Sequence, residues 1–238
     1  MPPKSNLGKA AFRGRLTRWF RRAGRDLPWR RTRDPYHVVV SEVMLQQTQV
    51  ARVLDYYPAF LERYPSIQHL AAARPRAVRE AWDGLGYYRR AENLHRMAKT
   101  VVREHEGRVP SSLDVLRRLP GIGPYTAGAV ACFAYEQATP AVDTNVARVL
   151  RRVFGTARKT HDKTREKTHR TRGTSESRRL RDLAASLQPR RGRAAWTFNQ
   201  ALMELGALVC TARKPNCEAC PVRVDCAWYQ EKCVISPK

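Results

Sequence analysis

The chain has 238 residues and a formal net charge of +24, with 45 Lys and Arg against 21 Asp and Glu. Its length allows one large or two modest domains, and with 42% hydrophobic residues it can bury a core. No apolar run approaches the roughly 20 residues of a membrane span, and the opening stretch MPPKSNLGKAAFRGRL lacks the apolar segment of a secretory signal. An intracellular protein of the cytoplasm or nucleoid is therefore expected, where disulfides are rare and clustered cysteines read as ligands instead. The positive surplus points to a polyanionic partner, because phosphates attract it and counterion release strengthens binding. An unspecific basic surface is the alternative.

In chain order the pattern is a series of helices punctuated by Gly and Pro, and the fold class is all-α. PYHVVVSEVMLQQTQVARVLDYYPAFLERYP predicts two helices split near Pro58. The run Val38-Val39-Val40 resembles a strand, but no partner strands follow, so it is read as helix. RAVREAWDGLG stops at Gly84 and Gly86. RRAENLHRMAKTVVREHEG is a long amphipathic helix with Gly107 as its stop. Ser111-Ser112-Leu113-Asp114 opens a short helix that ends near Leu119. NVARVLRRVFG is helical after Asp143. Residues 156–181 are nearly devoid of apolar side chains and read as a flexible, solvated insertion, with a DNA-binding arm as the alternative. Residues 194–210 form a strong helix that runs into a cysteine-rich loop.

Three features carry chemistry. Leu119-Pro120-Gly121-Ile122-Gly123-Pro124 joins two helices; Gly121 and Gly123 permit a tight turn, and their N–H groups with the following helix N-terminus suit a phosphate. The ordinary helix–helix turn is an equal alternative. Cys210-x6-Cys217-x2-Cys220-x5-Cys226 gathers four soft anionic ligands able to hold one metal centre, an iron–sulfur cluster or zinc. Cys132 reads as a small core residue, and Cys233 has no assigned role. Glu42 and Asp143 stand in the apolar stretches VVVSEVML and TPAVDTNV, where a carboxylate needs a reason. On the residues alone the plainer readings are favoured, Glu42 as a surface helix residue and Asp143 as an N-cap of NVARVL.

LPGIGPYTAGA resembles the hairpin of the helix-hairpin-helix DNA glycosylases, and the cysteine spacing resembles the [4Fe-4S] loop of their endonuclease III branch. SEVMLQQTQVARV, GLGYYRRAENLH and PAVDTNVARVLRR are similar to segments of the MutY-type adenine DNA glycosylases. The resemblance runs from about Arg18 to Cys226. It implies a six-helix barrel at about 32–139 beside a cluster domain built from 1–31 and 140–238, with double-stranded DNA in the groove between, acted on by a monomer. The implied cluster is structural and holds a basic loop with Arg213, Lys214 and Arg223 against the DNA.

The resemblance also implies roles. Glu42 would protonate the departing adenine, Asp143 would stay ionised beside the sugar, and Asn145 would orient the site. Tyr125 replaces the lysine that forms a Schiff base in bifunctional members, which implies base release without strand cleavage. Gln46 and Tyr87 match residues that wedge into the base stack, and Gly121 and Gly123 would grip the backbone. Trp29, Arg30 and Gln200 match the base pocket. MutY-type enzymes usually carry a C-terminal domain that recognises 8-oxoguanine, whereas this chain stops at Lys238. Excision of thymine or uracil opposite guanine is therefore the alternative, and a non-catalytic DNA-binding module the second one.

Overall fold

The computed structural model describes residues 8–155, 169–190 and 192–231. Among these there are twelve α-helices and no strand. The chain divides into two units, Asp26–Gln137 and a discontinuous one made of Met1–Arg25 with Ala138–Lys238. No helix among the described residues is long and apolar enough to cross a membrane.

The discontinuous unit opens with α1 (Lys9–Ala23), whose Phe12 and Leu16 enter its core. The unit Asp26–Gln137 holds seven helices. A short 3-10 turn, Pro28–Arg30, precedes α2 (Pro35–Leu45), which Asp34 caps by accepting from the His37 N–H at 3.0 Å. Eight of the eleven α2 residues are buried, on every side of the helix. That all-round burial makes a helix of a β-branched run that mimics a strand. α3 (Val50–Arg63) buries Val53, Tyr57 and Phe60 on one stripe and contains Pro58. The expected break near Pro58 is thus displaced: the two helices part at 46–49, where Gln47 takes φ 58° and the chain cannot continue as a right-handed helix.

α4 (Ile67–Ala72), α5 (Pro75–Glu80) and α6 (Arg89–Glu104) follow. Beyond α6, the Gly107 N–H closes back on the Val101 carbonyl at 3.1 Å with φ 72°, as expected of a glycine stop. The short α7 (Leu113–Leu116) leads through the glycine turn into α8 (Pro124–Phe133), whose residues from Thr126 onward are all buried, Cys132 among them.

α9 (Thr144–Phe154) resumes the discontinuous unit and ends at Gly155, which is left-handed at φ 66°. α10 (His169–Leu187) overlaps the segment expected to be a solvated insertion. The overlap corrects that reading for its C-terminal part: Leu180 is buried in the same core as Ala184 and Leu187, and Arg151 pairs with Glu176 at 2.8 Å. Residues 156–168 and Cys233 lie outside the described residues. α11 (Gly192–Leu208) packs against α1 and α9. The cysteine loop follows, then α12 (Ala227–Tyr229). Chain ends distant in sequence share this core because Phe12 meets Phe154 and Phe198 edge-on, at 5.2 and 6.1 Å between ring centroids.

Candidate functional site

Glu42 lies on α2 and is only 5% exposed. The surface-residue alternative is therefore removed: Glu42 sits on a helix where Val39, Val40, Val43 and Met44 are buried as well. In the same unit Trp29 is buried with its ring edge-on to Tyr57 at 5.5 Å, and Arg30 is half-buried beside it. Neither residue is a plain surface side chain.

The glycine turn is sharper than its sequence suggests, and less symmetric. Gly121 takes φ 76°, and a Cβ there would stand 2.7 Å from Asn93 Cβ, so only glycine fits. Gly123 is not left-handed (φ −82°), and a Cβ there would meet nothing within 4 Å. The expectation that both glycines adopt conformations other residues resist therefore holds for Gly121 alone. Gly123 is the N-cap of α8 and is exposed, so what its missing side chain leaves is open access to the helix N-terminus. Pro124 and Tyr125 open the helix, and Tyr125 is half-buried.

Two short loops flank this turn within the unit. Gln46 follows α2, and its side-chain amide donates to Thr126 Oγ1 at 3.3 Å. Tyr87 precedes α6, is 63% exposed and takes φ 47°. Arg90, a residue that sequence reasoning did not single out, lies beneath both loops. Hydrogen bonds to main-chain carbonyls have no signature in a sequence, and an Arg in an Arg-rich stretch reads as solvated.

In the other unit Asp143 is the N-cap of α9. Its Oδ1 accepts from the Val146 N–H at 2.6 Å and its Oδ2 from Asn145 Nδ2 at 3.2 Å. The capping alternative is thus realised, and it fixes the carboxylate in one orientation. Burial pushes the Asp143 carboxyl pKa up, against the opposing pull of the Val146 N–H and Asn145. Asn145 accepts from Arg148 Nη2 at 2.7 Å, and Arg148 also donates to the Gly206 and Cys210 carbonyls, both at 2.7 Å. The segment leading to Asp143 is clamped by buried Asn199. Asn199 accepts from the Ala141 N–H at 3.1 Å and donates to the Thr139 carbonyl at 3.0 Å. Gln200 beside it is buried. Neither Arg148 nor Asn199 was singled out from the sequence, since most of what they hold is backbone.

Cys210, Cys217, Cys220 and Cys226 line one cavity with Arg152, Val209 and Tyr229. Burial pushes the Cys220 thiol up to about 12, and Cys226, Cys210 and Cys217 add to the rise, so the four sulfurs are mutual neighbours. Arg152 donates to Cys210 Sγ at 3.3 Å while bonding the Thr211 and Ala212 carbonyls at 2.7 and 3.0 Å. Four soft donors in one cavity with a cation at their edge fit an anionic thiolate cluster. Four thiolates can also bind zinc, and it is the match of residues 210–226, reported below, that decides for iron–sulfur.

A glycine turn capping a helix in a basic all-α chain is the arrangement by which proteins grip a nucleic-acid backbone, and the four-thiolate loop narrows that class to members carrying a metal cluster. Residues 40–172 match the HhH-GPD superfamily of base excision DNA repair proteins, and residues 210–226 match the iron-sulfur binding domain of endonuclease III. The chain is 46% identical over 214 residues to the adenine DNA glycosylase of Mycolicibacterium smegmatis, covering 90% of this chain and 68% of that protein. It is 46% identical over 226 residues to the human adenine DNA glycosylase, covering 91% of this chain but 39% of that protein. Among solved structures it is similar to a thermostable thymine-DNA glycosylase, with TM-score 0.80, 29% identity and coverage of 94% of this chain and 97% of that one. An endonuclease III solved with DNA shares the fold, with TM-score 0.74 at 22% identity over 94% of this chain and 98% of that one. The chain belongs to the HhH-GPD superfamily of base excision DNA repair proteins. Its fold is the all-α helix-hairpin-helix glycosylase fold, and its cysteine loop carries a [4Fe-4S] cluster.

Proposed function

We propose that this chain is a monofunctional DNA N-glycosylase, working as a monomer on double-stranded DNA, that releases adenine mispaired with 8-oxoguanine or guanine. The burial of Glu42 on α2 carries the reading, because a carboxyl enclosed by the protein in the segment that resembles the MutY type can act as a positioned general acid. The names and 46% identity of the mycobacterial and human relatives support adenine as the base. Because the chain spans only part of those relatives' lengths, the identity of the opposite base rests on the proposal alone.

A base inside a duplex is out of reach, so the nucleotide must first be extruded. Gln46 and Tyr87 wedge into the stack, and Gly121 and Gly123 hold the backbone at the α8 N-terminus. Trp29, Arg30 and Gln200 are each assigned a contact with the extruded base; a glutamine amide can match both the donor and the acceptor of adenine. Glu42 protonates the base and afterwards orients the attacking water. Asp143, ionised and aimed by Asn145 and the Val146 N–H, stabilises the cationic sugar. Cys210, Cys217, Cys220 and Cys226 would hold the cluster as a structural brace. The barrel is assigned to about 32–139 and the cluster domain to 1–31 with 140–238. The site of action is wherever genomic DNA is housed.

Four duplexes test the substrate: A opposite 8-oxoguanine, A opposite G, T opposite G and U opposite G, each assayed for strand breaks before and after alkali. Breaks at adenine only after alkali are expected. The 29%-identical thymine-DNA glycosylase keeps a second reading open, and breaks confined to the T or U duplexes establish it. Binding with no breaks in any duplex establishes the non-catalytic module. Tyr125 in place of lysine predicts that borohydride traps no adduct efficiently, since a phenol forms no Schiff base; efficient trapping overturns the monofunctional assignment.

A further inference from the structure

Arg90 is 8% exposed, and the structure places no carboxylate among its hydrogen-bond acceptors. Its Nη1 donates to the Val43 carbonyl at 2.9 Å, the Met44 carbonyl at 2.7 Å and the Gln46 carbonyl. Its Nη2 donates to Thr48 Oγ1 at 2.9 Å and to the Leu85 and Gly86 carbonyls at 3.0 and 3.2 Å. Val43 and Met44 lie in the last turn of α2, where carbonyls lack helical partners and a cation is favoured. The other acceptors are the loop that presents Gln46 and the loop that presents Tyr87. The guanidinium carbon also lies 5.4 Å from the Trp82 ring centroid and 5.6 Å from that of Tyr87.

Both loops are strained. Gln47 and Tyr87 are non-glycine residues in the left-handed region, at φ 58° and 47°. Such residues persist only where their surroundings over-determine them. Arg90 bonds the residues on either side of Gln47 and the two that precede Tyr87: one rigid fork reaches into both loops, which a lysine ammonium cannot do because its donors radiate from a single point.

We propose that Arg90 is the positioning residue that locks the Gln46–Thr48 loop and Tyr87 into a single preformed wedge, acting on DNA only through those residues. The inference rests on the reading of Gln46 and Tyr87 as the wedge. Preformation matters because each strained loop, left free, would relax and have to be re-ordered at every encounter with DNA.

The test is a cycle of variants on the full chain with its cluster. The probe is a duplex carrying 2-aminopurine beside a mispaired adenine whose 2′-fluoro sugar resists hydrolysis, and its fluorescence reports unstacking. Q46A/Y87A is expected to abolish most of the unstacking. R90K is expected to slow it about tenfold or more, as loss of several charge-assisted bonds implies, while the affinity for undamaged duplex stays near wild type. R90K added to Q46A/Y87A is expected to cost nothing further. Methylguanidinium is expected to restore unstacking in R90A with Tyr87 present and not in the Q46A/Y87A background, a rescue that a general folding defect would not give. T48V removes one acceptor and provides a milder variant should R90K not fold; its smaller loss should likewise vanish in Q46A/Y87A. Wild-type unstacking in R90K, or an equal loss from R90K or T48V in both backgrounds, overturns the proposal and leaves the wedge reading intact. Normal unstacking in Q46A/Y87A overturns the wedge reading itself.

Discussion

On the proposed reading, two carboxyl groups held in different ways carry the chemistry at the residue scale. Glu42 is buried within a helix, whereas Asp143 is pinned at the mouth of one by the Val146 N–H and Asn145. Glu42→Gln keeps shape and removes the ionisable proton, so base release should fall at least a hundredfold, the usual contribution of general acid catalysis. Melting temperature and duplex affinity should stay near wild type, and base release at the wild-type rate in single-turnover assays would remove Glu42 from the mechanism. Asp143 makes a pH prediction of definite sign. Its folded pKa is raised above the reference of 3.8, so the native state holds this proton more tightly than the unfolded chain does. The carboxyl therefore lowers stability as pH rises from below 3.8 through the folded pKa. Asp143→Asn abolishes that slope. The melting temperature of wild type relative to D143N should improve as pH falls through the same window, and a difference independent of pH would refute the assignment. Activity should be lost in D143N at every pH, because a neutral amide does not stabilise a cationic sugar.

The way elements meet was only partly visible in the sequence. α9 and α11 approach so closely at Gly206 that a Cβ there would stand 2.7 Å from Asn145 Cβ and 3.1 Å from its backbone. Gly206→Ala should therefore lower stability by about 1–3 kcal/mol, as overpacking generally does, and should depress base release more than duplex binding by moving Asn145 away from Asp143. Thermal melts paired with single-turnover kinetics check both, and an unshifted melt would show that α11 can yield freely. Nothing in FNQALMELGALVC marks that glycine, because a close helix contact depends on the partner. Helix existence was legible wherever the apolar spacing was strict, as in α3, α6 and α9. Breaks were not: Pro58 sits inside α3, and the real boundary falls where Gln47 turns left-handed. The reading of 156–181 as solvated failed at its C-terminal end, where Leu180 joins Ala184 and Leu187 of the same helix in the core. A composition average conceals a single residue of that kind.

Across the whole molecule, the cysteine loop closes a core to which both ends of the chain contribute. Phe12 and Leu16 of α1 share it with α9, α11, Val222 and Cys226, and Arg15 pairs with Asp225 in the loop. The four cysteines were legible from spacing alone; their coupling to α1 was not, because it joins residues some two hundred positions apart. Arg90 and Arg148 escaped notice for a related reason, since most of what they hold is backbone. The loop has little to replace the cluster if it is lost: burial disfavours the thiolates at Cys220 and Cys226, and the loop between α11 and α12 contains only a short 3-10 turn. Cys217→Ser should therefore lose the visible absorbance of the cluster and destabilise the discontinuous unit first. Hydrogen–deuterium exchange should rise most in α1, α9, α11 and the loop, and less in Asp26–Gln137, which has its own core around Trp82, Phe60 and Leu94. The four cysteine-to-serine variants should give the same pattern, because each removes one ligand of a shared centre. An equal rise in both units would mean that the cluster supports the chain as a whole, and an unchanged pattern would mean that packing around Val222 holds the loop without it.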